Sequence, residues 1–198
     1  MRAVKTMATV LALGALVGSG AFAQQAAPAF ELADVNGKVH SLAQYAGKVV
    51  VLEWTNYDCP FVKKFYSVGA MQAMQAEYVE KGVVWLSICS SAAGKQGHFT
   101  KAEWLERIAK SGAKATAVLL DESGVTGQAY GAKNTPHMFV IDKSGTLAYQ
   151  GAIDDKRSAD SGDIEGARNY VKETLEALLG DKPVEVAETK PYGCSVKY

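Results

Sequence analysis

The sequence has no surplus of either charge: 21 Lys and Arg stand against 21 Asp and Glu. A balanced chain carries no electrostatic footprint for nucleic acid or for an anionic membrane surface. Cysteine is scarce, with three residues in 198, so the protein is not a small scaffold held together by disulfides. Three is also odd, which leaves at least one thiol outside any intrachain pair. There is no internal repeat, no phosphate-binding glycine loop and no C-x-x-C pair. His40, His98 and His137 are too scattered to give a metal signature by spacing, and no cofactor is implied. What is present is an apolar content of 48 %, which excludes disorder as a general description and suffices for one domain with a proper core.

The segment 1–23 reads as an export signal and not as fold. Arg2 and Lys5 form a basic start, Val10 to Val17 is an apolar run, and Ala21-Phe22-Ala23 gives the small-x-small pattern before Gln24. The apolar run is too short to span a bilayer comfortably. Cleavage after Ala23 removes two positive charges and leaves a slightly acidic chain with no stable membrane insertion. The expected location is periplasmic or secreted, where cysteines meet an oxidising environment.

The remainder alternates strand and helix. Phe30 to Tyr45 reads as a small hairpin turned at Asn36-Gly37. Val49 to Leu52 is a continuous apolar run, the pattern of a strand buried on both faces. Pro60 opens a helix carrying Phe61, Phe65, Val68, Met71, Met74 and Tyr78, which Gly82 ends. Val83 to Ile88 is the next strand. Thr100 and Glu103 form a capping box for a second helix, closed by Gly112. Ala115 to Leu120 is a third strand and Val125 to Tyr130 a short helix. Met138–Ile141 and Thr146–Tyr149 form a hairpin, and Asp163 caps a last helix with Ile164, Ala167, Val171, Leu175 and Leu178 inward. This order predicts a sheet with parallel pairs and one antiparallel edge.

The chemistry is placed at Cys59, after a buried strand and immediately before Pro60. That position is the N-terminus of a helix, where free backbone N–H groups favour an anion such as a thiolate. An ordinary cysteine is only about 3 % thiolate at pH 7, so a lowered pKa removes the limit on nucleophilicity. Lys63 and Lys64 add positive potential and Asp58 opposes it.

The segment Trp54-Thr55-Asn56-Tyr57-Asp58-Cys59-Pro60-Phe61-Val62 resembles the active-site region of the thioredoxin-fold redoxins. It is most similar to the peroxiredoxin-like branch of the AhpC/TSA family, with one active-site cysteine. Phe30 to Gly37, Gly47 to Leu52 and Asn134 to Asp142 resemble the start of that fold and its proline loop. The resemblance implies a thioredoxin-like three-layer α/β/α sandwich with a mixed central sheet and an N-terminal β-hairpin, over residues 24–183. It also implies a cis Pro136 facing Cys59. Three positions depart from the pattern, in two respects. Val62 stands where C-x-x-C has its second cysteine, and Asn56 and Leu52 stand where peroxiredoxins carry Thr or Ser and a proline. Asn56 or Thr55 remains as a hydrogen-bonding group near the thiolate.

Residues 184–198 form a tail whose Pro191 and Gly193 break any helix and which carries Cys194. A thiol on such a segment can resolve a sulfenic acid or a mixed disulfide formed at Cys59. A plain stabilising disulfide has the same connectivity and would contribute up to ~5 kcal/mol. Cys89, at the end of the following strand, is either an alternative partner for Cys59 or a small buried core residue. His137 is either a strand residue or an aid to proton transfer or metal binding. The expected function is that of an exported thiol-dependent oxidoreductase, acting as a thiol–disulfide exchanger or as a peroxiredoxin-like antioxidant. Its nucleophile is Cys59 and its resolving thiol Cys194. Its partners are a thiol electron donor, a protein disulfide or a peroxide. The alternatives are a soft-metal module holding Cu(I) on Cys59, Cys194 and His137, and a redox-inert domain.

Overall fold

The computed structural model describes residues 25–198. The expected signal segment, residues 1–23, lies outside the described residues. The chain begins with a hairpin of β1 (Glu31–Ala33) and β2 (Val39–Ser41), paired antiparallel. Gly37 turns it at φ +87, a conformation that disfavours a side chain. Asp34 Oδ1 accepts the N–H groups of Asn36 and Lys38 at 2.8 and 3.0 Å. The turn therefore satisfies its own backbone.

The central sheet contains β3 (Val50–Trp54), β4 (Val84–Cys89), β5 (Ala117–Leu120), β7 (His137–Ile141) and β8 (Leu147–Gly151). Its spatial order is β5-β4-β3-β7-β8. The first three strands run parallel, while β7 and β8 pair antiparallel to their neighbours. Every residue of β3 is buried, as its apolar run requires of a strand covered on both faces. Val51, Trp85, Val118, Met138 and Val140 face one layer. There they meet α1 (Pro60–Tyr66), α2 (Ala70–Glu80), α3 (Lys101–Ser111) and α5 (Tyr170–Leu179) through residues such as Val62, Met71, Trp104 and Leu175. Val50, Leu52, Leu86, Leu119 and Phe139 face the other layer, built from the hairpin and from α4 (Val125–Tyr130). The result is the expected three-layer α/β/α arrangement around a mixed sheet.

Two helices differ from the sequence reading. The helix expected from Pro60 to Gly82 is divided: α1 ends at Tyr66, Gly69 adopts φ +79, and α2 begins at Ala70. Val68 falls in the break and is exposed instead of inward. The last helix is capped not by Asp163 but by Asn169, whose side chain accepts Lys172 N–H at 2.9 Å. Asp163 belongs to a separate 3-10 turn, Ser161–Ile164. The capping box of α3 is present as read, with Thr100 and Glu103 bonded reciprocally. Two short strands complete the fold: β6 (Asn134–Thr135) and β9 (Cys194–Ser195), paired antiparallel. Among the described residues no helix is long and apolar enough to cross a membrane.

Candidate active site

Cys59 stands where β3 hands the chain to α1. Thr55 N–H still bonds to Ile88 O at 2.9 Å, continuing the β3–β4 ladder by one residue. The chain then turns: Asn56 O accepts Cys59 N–H at 2.9 Å and Asn56 Oδ1 accepts Asp58 N–H at 3.0 Å. Pro60 occupies the first helical turn, where its missing N–H costs nothing. The Cys59 carbonyl takes the N–H groups of Val62 and Lys63 at 3.1 and 2.9 Å, and its side chain makes no capping bond. The residue is fully buried, with 0 % exposure.

Two groups face the Cys59 sulfur. Thr135 O lies at 3.0 Å and Cys194 Sγ at 2.8 Å, both within hydrogen-bonding distance of a thiol. The sulfurs are 135 positions apart in sequence, and the β6–β9 pairing brings them together by setting Cys194 opposite Thr135. The Thr135–Pro136 bond is cis, as the family resemblance implies. Burial pushes both thiols up. At Cys59 the hydrogen bond with Cys194 leads the groups that outweigh burial, so this thiol falls below its ordinary range. At Cys194 burial and the neighbouring Cys59 act together and push the thiol up to about 11. The first turn of α1 contributes as the sequence reading expects, through the Val62 N–H, and the Cys194 sulfur adds a partner that reading did not include. Since the thiolate is the reactive form, alkylation of Cys59 should reach its plateau below the ordinary thiol range. That of Cys194 should rise only as the pH approaches about 11. Mass-resolved alkylation against pH checks the order, and the reverse order would contradict it.

Gly193 permits this approach. It has φ +134, and a Cβ there would be driven into the Thr135 carbonyl. Gly193→Ala should therefore lift the tail off β6. It should slow Cys59–Cys194 bond formation about tenfold or more, because closure depends on the fraction of chains with the tail seated. Conversion of a preformed mixed disulfide at Cys59 into the Cys59–Cys194 bond, followed by acid quench and mass spectrometry, tests this; a parental rate would show that the close contact is unnecessary.

The other expected residues fall in different places. Asn56 spends its side chain on Gln96 O, at 3.3 Å, and on the Asp58 amide, and does not bond the Cys59 sulfur. Thr55 Oγ1 is buried without a hydrogen-bond partner among the described residues. His137 follows Pro136 but turns to the opposite sheet face from Cys59, with its ring 4.4 Å from that of Phe139. Its Nδ1 accepts Lys133 N–H at 3.2 Å, and burial lowers its pKa to about 4. Cys89 is buried on the Cys59 side of the sheet, yet its thiol faces Ser91 Oγ and Gly97 O at 3.4 and 3.5 Å. Burial raises its pKa. Asp58 is paired with Arg107 at 3.4 Å and Lys63 is exposed.

Lys64 and Glu53 carry more than the sequence suggested. Lys64 is buried and donates to Asp154 Oδ2 at 3.0 Å, to Lys156 O at 2.8 Å and to Tyr192 Oη at 3.2 Å. Its charge is thus matched by Asp154 and is not free to act on Cys59. Glu53, in the middle of the sheet, accepts from Tyr66 Oη, Gln75 Nε2, Trp85 Nε1 and Ser87 Oγ, all at about 3 Å. An acid inside the run Val50-Val51-Leu52-Glu53-Trp54 was the available signal. A buried carboxylate needs donors from its neighbours.

The fold and the cysteine at its strand–helix junction define a thioredoxin-like redoxin. The chain belongs to the AhpC/TSA family, whose profile matches residues 23–150. It is similar to the thiol-disulfide oxidoreductase ResA of Geobacillus thermodenitrificans (strain NG80-2). The two are 24 % identical over 161 residues, which cover 74 % of this chain and 83 % of the relative. An uncharacterized conserved protein from Geobacillus kaustophilus superposes with a TM-score of 0.76 at 27 % identity, over 88 % of this chain and 91 % of that one. A candidate thiol:disulfide interchange protein DsbE from Chlorobium tepidum gives 0.57 at 28 % identity, over 79 % and 97 %.

Proposed function

We propose that this chain is an exported thiol–disulfide oxidoreductase with Cys59 as nucleophile and Cys194 as resolving thiol. The observation that carries the reading is the 2.8 Å approach of the two sulfurs, with Cys59 the more acidic. In the reducing direction the Cys59 thiolate attacks one sulfur of a substrate disulfide. The substrate S–S bond breaks, and its other sulfur leaves as a thiolate and takes up a proton. Cys194 then loses its proton and attacks the Cys59 sulfur, expelling the second substrate thiol. Two electrons have passed to the substrate, and a Cys59–Cys194 disulfide remains for an external dithiol to reduce. Thr135, next to Pro136, serves as the docking edge for the resolving strand. Asn56 holds the Cys59 backbone through its carbonyl.

The names of the relatives favour disulfide exchange over peroxide reduction, and so does the engagement of the Asn56 side chain away from the sulfur. The Cu(I) alternative loses its imidazole, because His137 faces the other side of the sheet. Export rests on the pattern of Met1 to Ala23. The test is a trap. Cys194→Ser, mixed with a disulfide substrate, should accumulate one mixed disulfide per chain, mapped to Cys59. Mapping to Cys89, or no adduct at all, would overturn the assignment.

A further inference from the structure

Lys64 is the only buried lysine among the described residues. A buried ammonium is retained where its partners are fixed, and here they come from separate segments. Lys64 belongs to α1, Asp154 and Lys156 follow β8, and Tyr192 lies in the tail two residues before Cys194. The Tyr192 hydroxyl donates to Asp154 Oδ1 and accepts from Lys64. Its ring packs edge-on against Phe61, 5.9 Å between centroids. Phe61 and Lys64 are three apart on α1, so they share a face of the helix that starts after Cys59. Beyond Cys194 the tail is held again, where Lys197 O accepts Ala92 N–H at 2.8 Å and Tyr198 Oη donates to Ala132 O at 2.8 Å. Between these points Cys194 itself pairs with Thr135, Asn134 Nδ2 donates to Gly193 O at 2.9 Å and Val196 N–H to Lys133 O at 3.0 Å, so the tail is held along its length, and Tyr192 is its buried side-chain anchor.

We propose that Tyr192, seated on the Lys64–Asp154 pair, is a positioning residue that holds Cys194 against Cys59 and closes Cys59 to outside thiols and disulfides. The inference deepens the thiol–disulfide reading and rests on it. With glutathione disulfide as oxidant, Cys59 attacks one sulfur and releases one glutathione. Cys194 then attacks Cys59 and releases the second, so the protein loses two electrons and two protons to give two glutathione thiols. The first step needs the tail raised and the second needs it seated. One latch therefore acts on the two steps in opposite directions.

Tyr192→Phe removes the hydroxyl and keeps the ring. In a Cys194→Ser background it should raise the rate of Cys59 alkylation by iodoacetamide about tenfold, the scale of one lost hydrogen bond to a charged group. Cys89, buried in β4, reports global opening and should stay protected. With all cysteines present, the equilibrium constant for forming the Cys59–Cys194 disulfide from glutathione disulfide should fall. An unchanged Cys59 rate overturns the proposal, as does a parallel rise at Cys59 and Cys89. Tyr130→Phe, which loses a bond to Pro28 O, is the control and should move neither readout. Alkylation needs no turnover. If Cys59→Ser kept full activity, the catalytic reading would fall while the latch measurement still stood or failed separately.

Discussion

Replacing Cys59 with serine should reduce disulfide exchange to the uncatalysed level. A serine hydroxyl is not ionised at neutral pH and has no neighbouring base here to activate it. Its nearest groups would be the Thr135 carbonyl, which cannot take a proton, and the Cys194 thiol, which burial holds in its protonated form. Cys194→Ser should behave differently, completing the first attack and then stalling. Its progress curve should show one product thiol per chain and then a slow phase. Cys89→Ser should turn over at the parental rate, because that thiol bonds only Ser91 and Gly97 among the described residues. Reduction of a small disulfide by an external dithiol, followed for all three variants, separates these outcomes. Full turnover by Cys59→Ser would remove Cys59 from the chemistry.

The largest loss of stability should come from Glu53→Ala. Four buried donors, from Tyr66, Gln75, Trp85 and Ser87, converge on this carboxylate. Each donor stranded without an acceptor costs roughly 1–3 kcal/mol, so the variant should lose about 4 kcal/mol or more even after partial rearrangement. Denaturant titration of the reduced protein checks it, and a loss below about 1 kcal/mol would show that the donors find other acceptors. The same residue gives a pH signature. Burial raises the Glu53 pKa, and its four donors only partly offset this. The contribution is fully present below the unfolded carboxylate pKa, about 4.3, and is lost as pH rises through the higher folded value. Glu53→Gln should therefore flatten the fall in stability between those two pH values.

Much of the fold was legible because local and tertiary demands coincided. The β3 run, the Thr100–Glu103 capping box and the Asn36-Gly37 turn each state their structure in a few neighbouring residues. The break at Gly69 was hidden, since the apolar spacing of α1 and α2 runs across it. Cys59 was legible from its place before Pro60, and Cys194 from its broken, extended surroundings. Lys64 was not. A lysine in a helix ordinarily reads as a solvent-facing charge, and its partners Asp154 and Tyr192 lie 90 and 128 positions away. Contacts of that range leave no local pattern. Gly193 is similar, because its need for a bare backbone arises only when the tail meets Thr135.

The placement of the two sulfurs also decides what oxidation does to the chain as a polymer. A bond between Cys59 and Cys194 closes a ring that contains α1 to α5 and β4 to β8, and leaves the hairpin and β3 outside it. A single proteolytic cut inside that ring would open it without dividing the molecule. The same cut in the reduced protein would leave two fragments joined only by packing. The oxidation state would thus set whether a nicked molecule survives denaturation in one piece.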